Sequence, residues 1–210
     1  MKLVKYEHAC FTVEKDGQLL VVDPGNFSSD FIAPAGVVAV VITHEHPDHF
    51  DHDQLAAIID KNPEAVIVAH PSITSQIEVF QTRSAMAGDK FNVGPFDLEF
   101  FGGQHAVIHQ NYPTIANLGV MINDLLYYPG DSFELPGDAS VDTLALPAAA
   151  PWMKMSEAMD YLIAVHPRLA FPTHDAILSD EGRAIADRLL GMTAQKNNIE
   201  YRRLDGPLEI

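Results

Sequence analysis

Cysteine is nearly absent. Cys10 stands alone among 210 residues, so no internal disulfide can form and a cysteine-rich metal site is excluded. Basic residues are scarce as well. Thirteen Lys and Arg face 29 Asp and Glu, giving a formal net charge of −16. Such a field repels polyphosphate backbones and argues against a nucleic-acid partner held in a basic groove. A small anion stays admissible, because bound divalent ions would make a site locally positive. Long apolar runs are also missing: none reaches the roughly eighteen residues that span a bilayer, so no membrane association is expected. The opening Met1-Lys2-Leu3-Val4-Lys5-Tyr6 enters strand-like sequence without the apolar core and cleavage site of a signal peptide. The expected location is the cytoplasm.

The rest of the composition, 47% hydrophobic and 20% charged, is that of a globular chain. Its length suits one domain spanning 1–210, read as two similar halves of about 1–105 and 106–210. Histidine and aspartate concentrate in one place, His44-Glu45-His46-Pro47-Asp48-His49. This cluster directly follows Val37-Val38-Ala39-Val40-Val41-Ile42, a β-branched run that reads as a buried strand. Imidazole and carboxylate are ligands that Zn²⁺, Mn²⁺ and Fe²⁺ accept. In extended backbone, residues two apart point the same way, so His44 and His46 can grip one ion. Asp48 and His49 lie beyond the turn at Pro47 and can serve a second. The alternative is a solvated His/Asp loop without metal.

Strand and helix signals alternate along the chain. Cys10–Glu14 and Gln18–Val22 flank Lys15-Asp16-Gly17 as a hairpin. A helix is predicted over Asp53–Asn62, with Asp53 as its cap, then a strand over Ala65–Ala69. Pro71 opens a helix expected to carry Ile73, Ile77 and Phe80. Strands follow at Asp97–Phe101, Asn117–Ile122, Leu125–Tyr128, Thr143–Leu146 and Leu169–Phe171. Helices are expected from a Ser156 cap to Val165 and from an Asp180 cap to about Asn198, before an edge strand at Tyr201–Leu204. Strands followed by helices in both halves predict an α/β fold of four layers, αββα. Three further strands run into a potential ligand: His105, Asp131 and His174.

The ordered set Asp23, His44-x-His46-x-Asp48-His49, His105, Asp131 and His174 resembles the metallo-β-lactamase fold superfamily over nearly the whole chain. The resemblance implies an αββα sandwich with two divalent ions, most simply zinc with manganese or iron as alternatives, at the mouth between two sheets. It implies that His44, His46 and His105 hold one ion, that Asp48, His49 and His174 hold the other, and that Asp131 bridges them. Asp23 would orient the imidazoles. Glu7-His8-Ala9-Cys10-Phe11 and the stretch from Leu146-Pro147 to Pro172-Thr173-His174 are similar to the ascorbate-6-phosphate lactonase-like branch. The chain departs from that branch at Ala148-Ala149-Ala150, where a Gly-rich loop is usual, and at Asp175. His46 stands where the superfamily's flavo-diiron enzymes carry Glu, which disfavours a redox role.

The implied activity is hydrolysis of a small ester, lactone or phosphodiester by metal-activated water. Asp48 would both ligate and handle the proton. His8 would stabilise a substrate anion or protonate the leaving group, or else serve as a hydrogen-bonded turn residue. His109 is the alternative to His105 as a ligand and is otherwise expected to line the pocket. Trp152 and Met153 either wall the cleft or pack in the core, His52 is placed near the mouth, His70 is a weaker candidate and His166 is expected to be structural. The competing functions are a phosphodiesterase or nuclease of the same fold, and a protein that binds metal or ligand without turnover. A homo-oligomer is admissible.

Overall fold

Alternation along the strands decides which way each face looks. In the computed structural model, which describes residues 1–210, the N-terminal strands are β1 (Lys2–Lys5), β2 (Phe11–Lys15), β3 (Gln18–Val22), β4 (Val37–Ile42), β5 (Val66–Ala69) and β6 (Thr82–Ser84). Leu3, Val13, Leu20, Val22, Ala39, Val41 and Val68 share one core cluster. Their neighbours Val21, Val40, Ile42 and Ile67 belong to another, which also holds Leu55, Ile58 and Ile59 of helix α1 (His52–Lys61) and Ile73 of the short helix α2 (Pro71–Thr74). Period-two alternation thus buries both faces, one against helices and one against a second sheet.

The second sheet repeats the scheme. It comprises β7 (Lys90–Val93), β8 (Phe96–Gly102), β9 (Leu118–Ile122), β10 (Leu126–Tyr128), β11 (Thr143–Pro147), β12 (Leu169–Thr173) and β13 (Glu200–Tyr201). Leu98, Phe100, Val120, Ile122, Tyr128 and Phe171 fill the space between the sheets. Leu144, Leu146 and Ala170 turn outward onto Leu162 of α3 (Met155–Val165) and Leu190 of α4 (Asp180–Lys196). The layers are therefore α, β, β, α, as expected from the sequence.

The last strand, β14 (Leu208–Glu209), pairs with β1. The strand orders are β14-β1-β2-β3-β4-β5-β6 and β13-β12-β11-β10-β9-β8-β7. The sheets divide between Ser84 and Lys90 rather than near residue 105, because β7 and β8 form an antiparallel hairpin that starts the second sheet. β6, β7 and β14 are absent from the sequence reading: β6 is exposed throughout, β14 spans two residues, and β7 alternates over only four, with Phe91 and Val93 half-buried against the core. Helix α2 is shorter than expected, although Ile77 and Phe80 still pack on the core without helical backbone. Caps also shift. Asp51, not Asp53, accepts from Gln54 N–H, Ser179 caps α4 in place of Asp180, and Glu157 accepts from Lys154 N–H ahead of Ser156.

One glycine positions the histidine loop. A Cβ at Gly25 would lie 1.9 Å from the Asp48 carbonyl oxygen and 2.4 Å from His49 N. The turn after β3 and the 46–49 loop thus touch backbone to backbone, and Asn26 N–H donates to Pro47 O across the same contact. Gly25→Ala must push them apart, at about 1–3 kcal/mol for overpacking. A thermal melt should show that loss together with weakened divalent-ion binding; an unchanged melting temperature would contradict the contact.

Candidate metal centre

Every residue of the centre leaves the same end of the two sheets. Asp23 follows β3, His44, His46, Asp48 and His49 follow β4, His105 follows β8, Asp131 follows β10 and His174 follows β12. Two backbone bonds tie the sheets together here, Leu118 N–H to Thr43 O and His174 N–H to His8 O. The side chains gather into two groups that could each hold a metal ion: His44, His46, His105 and Asp131, and His8, Asp48, His49 and His174. Asp131 reaches across both. Its Oδ1 lies 3.2 Å from His49 Nε2, and its Oδ2 lies 3.0 Å from His174 Nε2 and 3.4 Å from His105 Nε2. The seven expected ligands are brought together; His8 joins them.

Hydrogen bonds on the far side of each ring settle which nitrogen faces inward. His174 Nδ1–H donates to Ala149 O at 2.6 Å and His105 Nδ1–H to Ala106 O at 2.5 Å, since a carbonyl only accepts. The Asp23 carboxylate is buried and accepts from Thr43 N–H, from the Thr43 hydroxyl at 2.6 Å and from His49 Nδ1–H at 2.7 Å. With its proton committed to Asp23, the Thr43 hydroxyl can only accept from His44 Nδ1–H, 3.0 Å away. All four rings therefore turn Nε2 inward.

Those nitrogens have no hydrogen-bond partner. Five of the seven buried, unpartnered side-chain atoms belong to this centre: Nε2 of His44, His49, His105 and His174, and Oδ1 of Asp131. The carboxylate oxygens lie close, but a lone pair facing a lone pair is repulsive unless a proton or a cation sits between them. The donor set fits divalent metal: neutral imidazole and carboxylate, oriented from behind and lacking other partners.

The electrostatics follow from the same crowding. Burial, then the neighbouring His49, holds the His44 imidazole well below its ordinary range, and burial and His105 lower His46. Burial also opposes charge on His49 and His174, yet carboxylates outweigh it. Asp131 and Asp23 raise His49 well above normal, and Asp131 raises His174 to about 9. Asp131 and Asp48 are held far below the usual carboxylate range despite burial, Asp131 by His49 and His174, Asp48 by the nearby His174 ring and the hydrogen bond from His8. Without a cation, protons do the work of charge balance.

His8 is fully buried, with its backbone at φ 55° and its ring 4.0 Å from that of His174. Its Nδ1 faces Ala176 N–H at 3.4 Å, which leaves Nε2–H to donate to Asp48 Oδ2 at 3.0 Å. Burial lowers its pKa to about 4. Trp152 also reaches the centre, donating Nε1–H to Asp131 Oδ2 at 2.8 Å and packing on Phe133. Met153 takes the core alternative and packs around α3 and α4. His109 is exposed and accepts from Asn111 N–H, away from the cluster. His52 begins α1, His70 caps α2 and His166 ends α3 in left-handed backbone, none of them in the centre.

Sequence reading missed two organisers. Thr43 carries the relay between Asp23 and His44. Asn117 accepts from Asp131 N–H and donates to Pro129 O, and it lies so close to Gly130 that a Cβ there would sit 2.3 Å from its Oδ1. Neither has a sequence signal beyond its place beside a ligand or strand end.

Residues 2–174 match the family described as Beta-lactamase superfamily domain. The chain belongs to this superfamily. Within it, the chain is 41% identical over 199 residues to Protein Rv0786c of Mycobacterium tuberculosis, covering 92% of this chain and 93% of that protein. The fold matches Igni18, a metallo hydrolase of Ignicoccus hospitalis, with a TM-score of 0.76 at 20% identity over 100% of this chain and 98% of that one. It also matches YhfI, a metallo-beta-lactamase fold protein of Bacillus subtilis, with a TM-score of 0.68 at 15% identity over 99% and 97%. The superfamily fold is thus shared across its four layers. No helix is long and apolar enough to cross a membrane.

Metal ligation requires deprotonated imidazoles, whereas His49 and His174 have raised pKa values in the metal-free centre. Loading a divalent ion at neutral pH should therefore release protons, and affinity should climb as pH rises toward about 9. Calorimetry in buffers of different ionisation enthalpy reads the release directly; a buffer-independent heat would contradict it.

Proposed function

We propose that this chain is a metal-dependent hydrolase that cleaves a small ester, lactone or phosphodiester at a centre of two divalent ions. The convergence of unpartnered imidazole nitrogens on Asp131 carries the proposal. His44, His46 and His105 would hold one ion and Asp48, His49 and His174 the other, with Asp131 between them. When bound, such ions supply an acidified water and a Lewis acid for developing oxyanion charge.

The chain's own residues do the rest. Asp23, Thr43 and the carbonyls of Ala106 and Ala149 fix the imidazoles so that no reorganisation is needed during reaction. Asp48 is half-buried and lies at the edge of its group, where a carboxylate can take the water proton. His8 is a positioning residue for Asp48: neutral, buried and with Nε2–H already committed, it is a poor proton source for a leaving group. Trp152 holds Asp131 through its indole N–H.

Asp48→Ala should cut hydrolysis of activated esters by at least ~100-fold while circular dichroism and thermal melting stay near those of the unaltered chain. His8→Gln should lower kcat by about tenfold or more, as other outer partners do, with divalent-ion binding kept. Full activity in Asp48→Ala would remove the proposed role, and the loss of ion binding in His8→Gln would make His8 a ligand instead.

A further inference from the structure

The segment from Gly103 to Ala116 crosses the mouth of the centre with apolar side chains turned outward. Ile108 and Tyr112 are 40% and 66% exposed. With Pro113 and Ile115 they face Glu45, His46 and Gln76 across a cleft of about 450 Å³. A narrow cavity continues inward along the same wall to His105. His46 and His105 both belong to the group that gathers on Asp131. The cleft therefore leads from solvent to the reacting end of the centre, and its size suits a small ligand.

Its charge is one-sided. Glu45 is the single charged carboxylate in the outer cleft, and no Lys or Arg lines it. The segments 7–10, 23–34, 43–52, 70–76, 103–116, 129–135 and 172–178 contain no Lys or Arg, and Lys154, in the 148–154 loop that carries Trp152, does not line the cleft. A phosphate or carboxylate remote from the scissile bond would find no guanidinium or ammonium partner here, and those are the groups that recognise such anions. Exposed apolar surface at a functional mouth is a binding feature, and the Tyr112 ring offers a face to apolar or cationic groups.

We propose that this cleft is the specificity subsite for the non-reacting part of the substrate, and that it takes an uncharged or cationic, largely apolar group. The substrate class is then a neutral or cationic ester or lactone, not one that carries a phosphate remote from the scissile bond. This rests on the hydrolase reading above. Ile108, Tyr112 and Ile115 bury the apolar body, Glu45 pairs with a positive charge, and the reacting carbonyl reaches inward past His46.

The test uses hydroxamates, whose head binds metal, on the metal-loaded full chain, read by calorimetry. Acetohydroxamate is the head alone; three matched compounds add a phenylpropyl, a trimethylammonium-alkyl or a carboxylate-alkyl tail. The first two tails should tighten binding about tenfold or more over acetohydroxamate, and the carboxylate tail should not. Tyr112→Ala, an exposed position, should remove most of the phenylpropyl gain, and Glu45→Gln should reduce the trimethylammonium gain. A carboxylate tail that binds as tightly as the phenylpropyl tail, or a gain untouched by Tyr112→Ala, overturns the subsite while leaving the hydrolase reading in place. Failure of acetohydroxamate itself to bind overturns both.

Discussion

Four imidazole nitrogens are buried at one end of two packed sheets with nothing to bond to, and the organisation of that end depends on this. An unsatisfied buried polar atom costs about 1–3 kcal/mol. Gathering four of them beside the carboxylates Asp131 and Asp48 is untenable as a purely structural device. Two remedies exist. Protons can occupy the gap, as the raised pKa values of His49 and His174 indicate, or divalent ions can. Each ring already spends Nδ1 on a partner behind it, which leaves Nε2 as the atom that faces the gap and supports the proposal of bound metal.

Those partners explain why so much of the fold's precision is local to the strand ends. Asp23 is the hub: one carboxylate takes three hydrogen bonds and thereby sets His49 directly and His44 through Thr43. It sits in left-handed backbone at φ 45°, as His174 does at φ 60°. Strain of this kind persists only where surrounding contacts over-determine the backbone, and here the contacts are those that aim ligands. Gly25 lets the two carrying loops meet, and Asn117 shapes the turn that presents Asp131.

The layers and the ligand ends were legible because both are written in strong local signals. Buried β-branched runs such as Val37–Ile42 mark strands, and a His or Asp just past a strand end stands out against apolar sequence. What lay outside the sequence signal depends on contacts made from elsewhere in the chain. β6 is exposed throughout, and β7 is an edge strand whose alternation runs for only four residues. α2 stops after one turn, and Ile77 and Phe80 reach the core without helical backbone. His109 was expected in the pocket, yet its loop turns it to solvent. Thr43 and Asn117 are common polar residues whose meaning comes only from partners 20 and 14 positions away. His8 was visible as a candidate, but its orientation toward Asp48 needed the Ala176 amide on its other face.

Fold likeness alone does not choose a reaction; the centre does, and its central claim is that two ions fit between these side chains. Anomalous diffraction from crystals of the zinc-loaded chain tests this most directly. The account predicts two peaks flanking Asp131, each about 2.0–2.1 Å from imidazole nitrogen, one held by His44, His46 and His105 and the other by His49, His174 and Asp48. A single peak, or density bound away from these imidazoles, would contradict it.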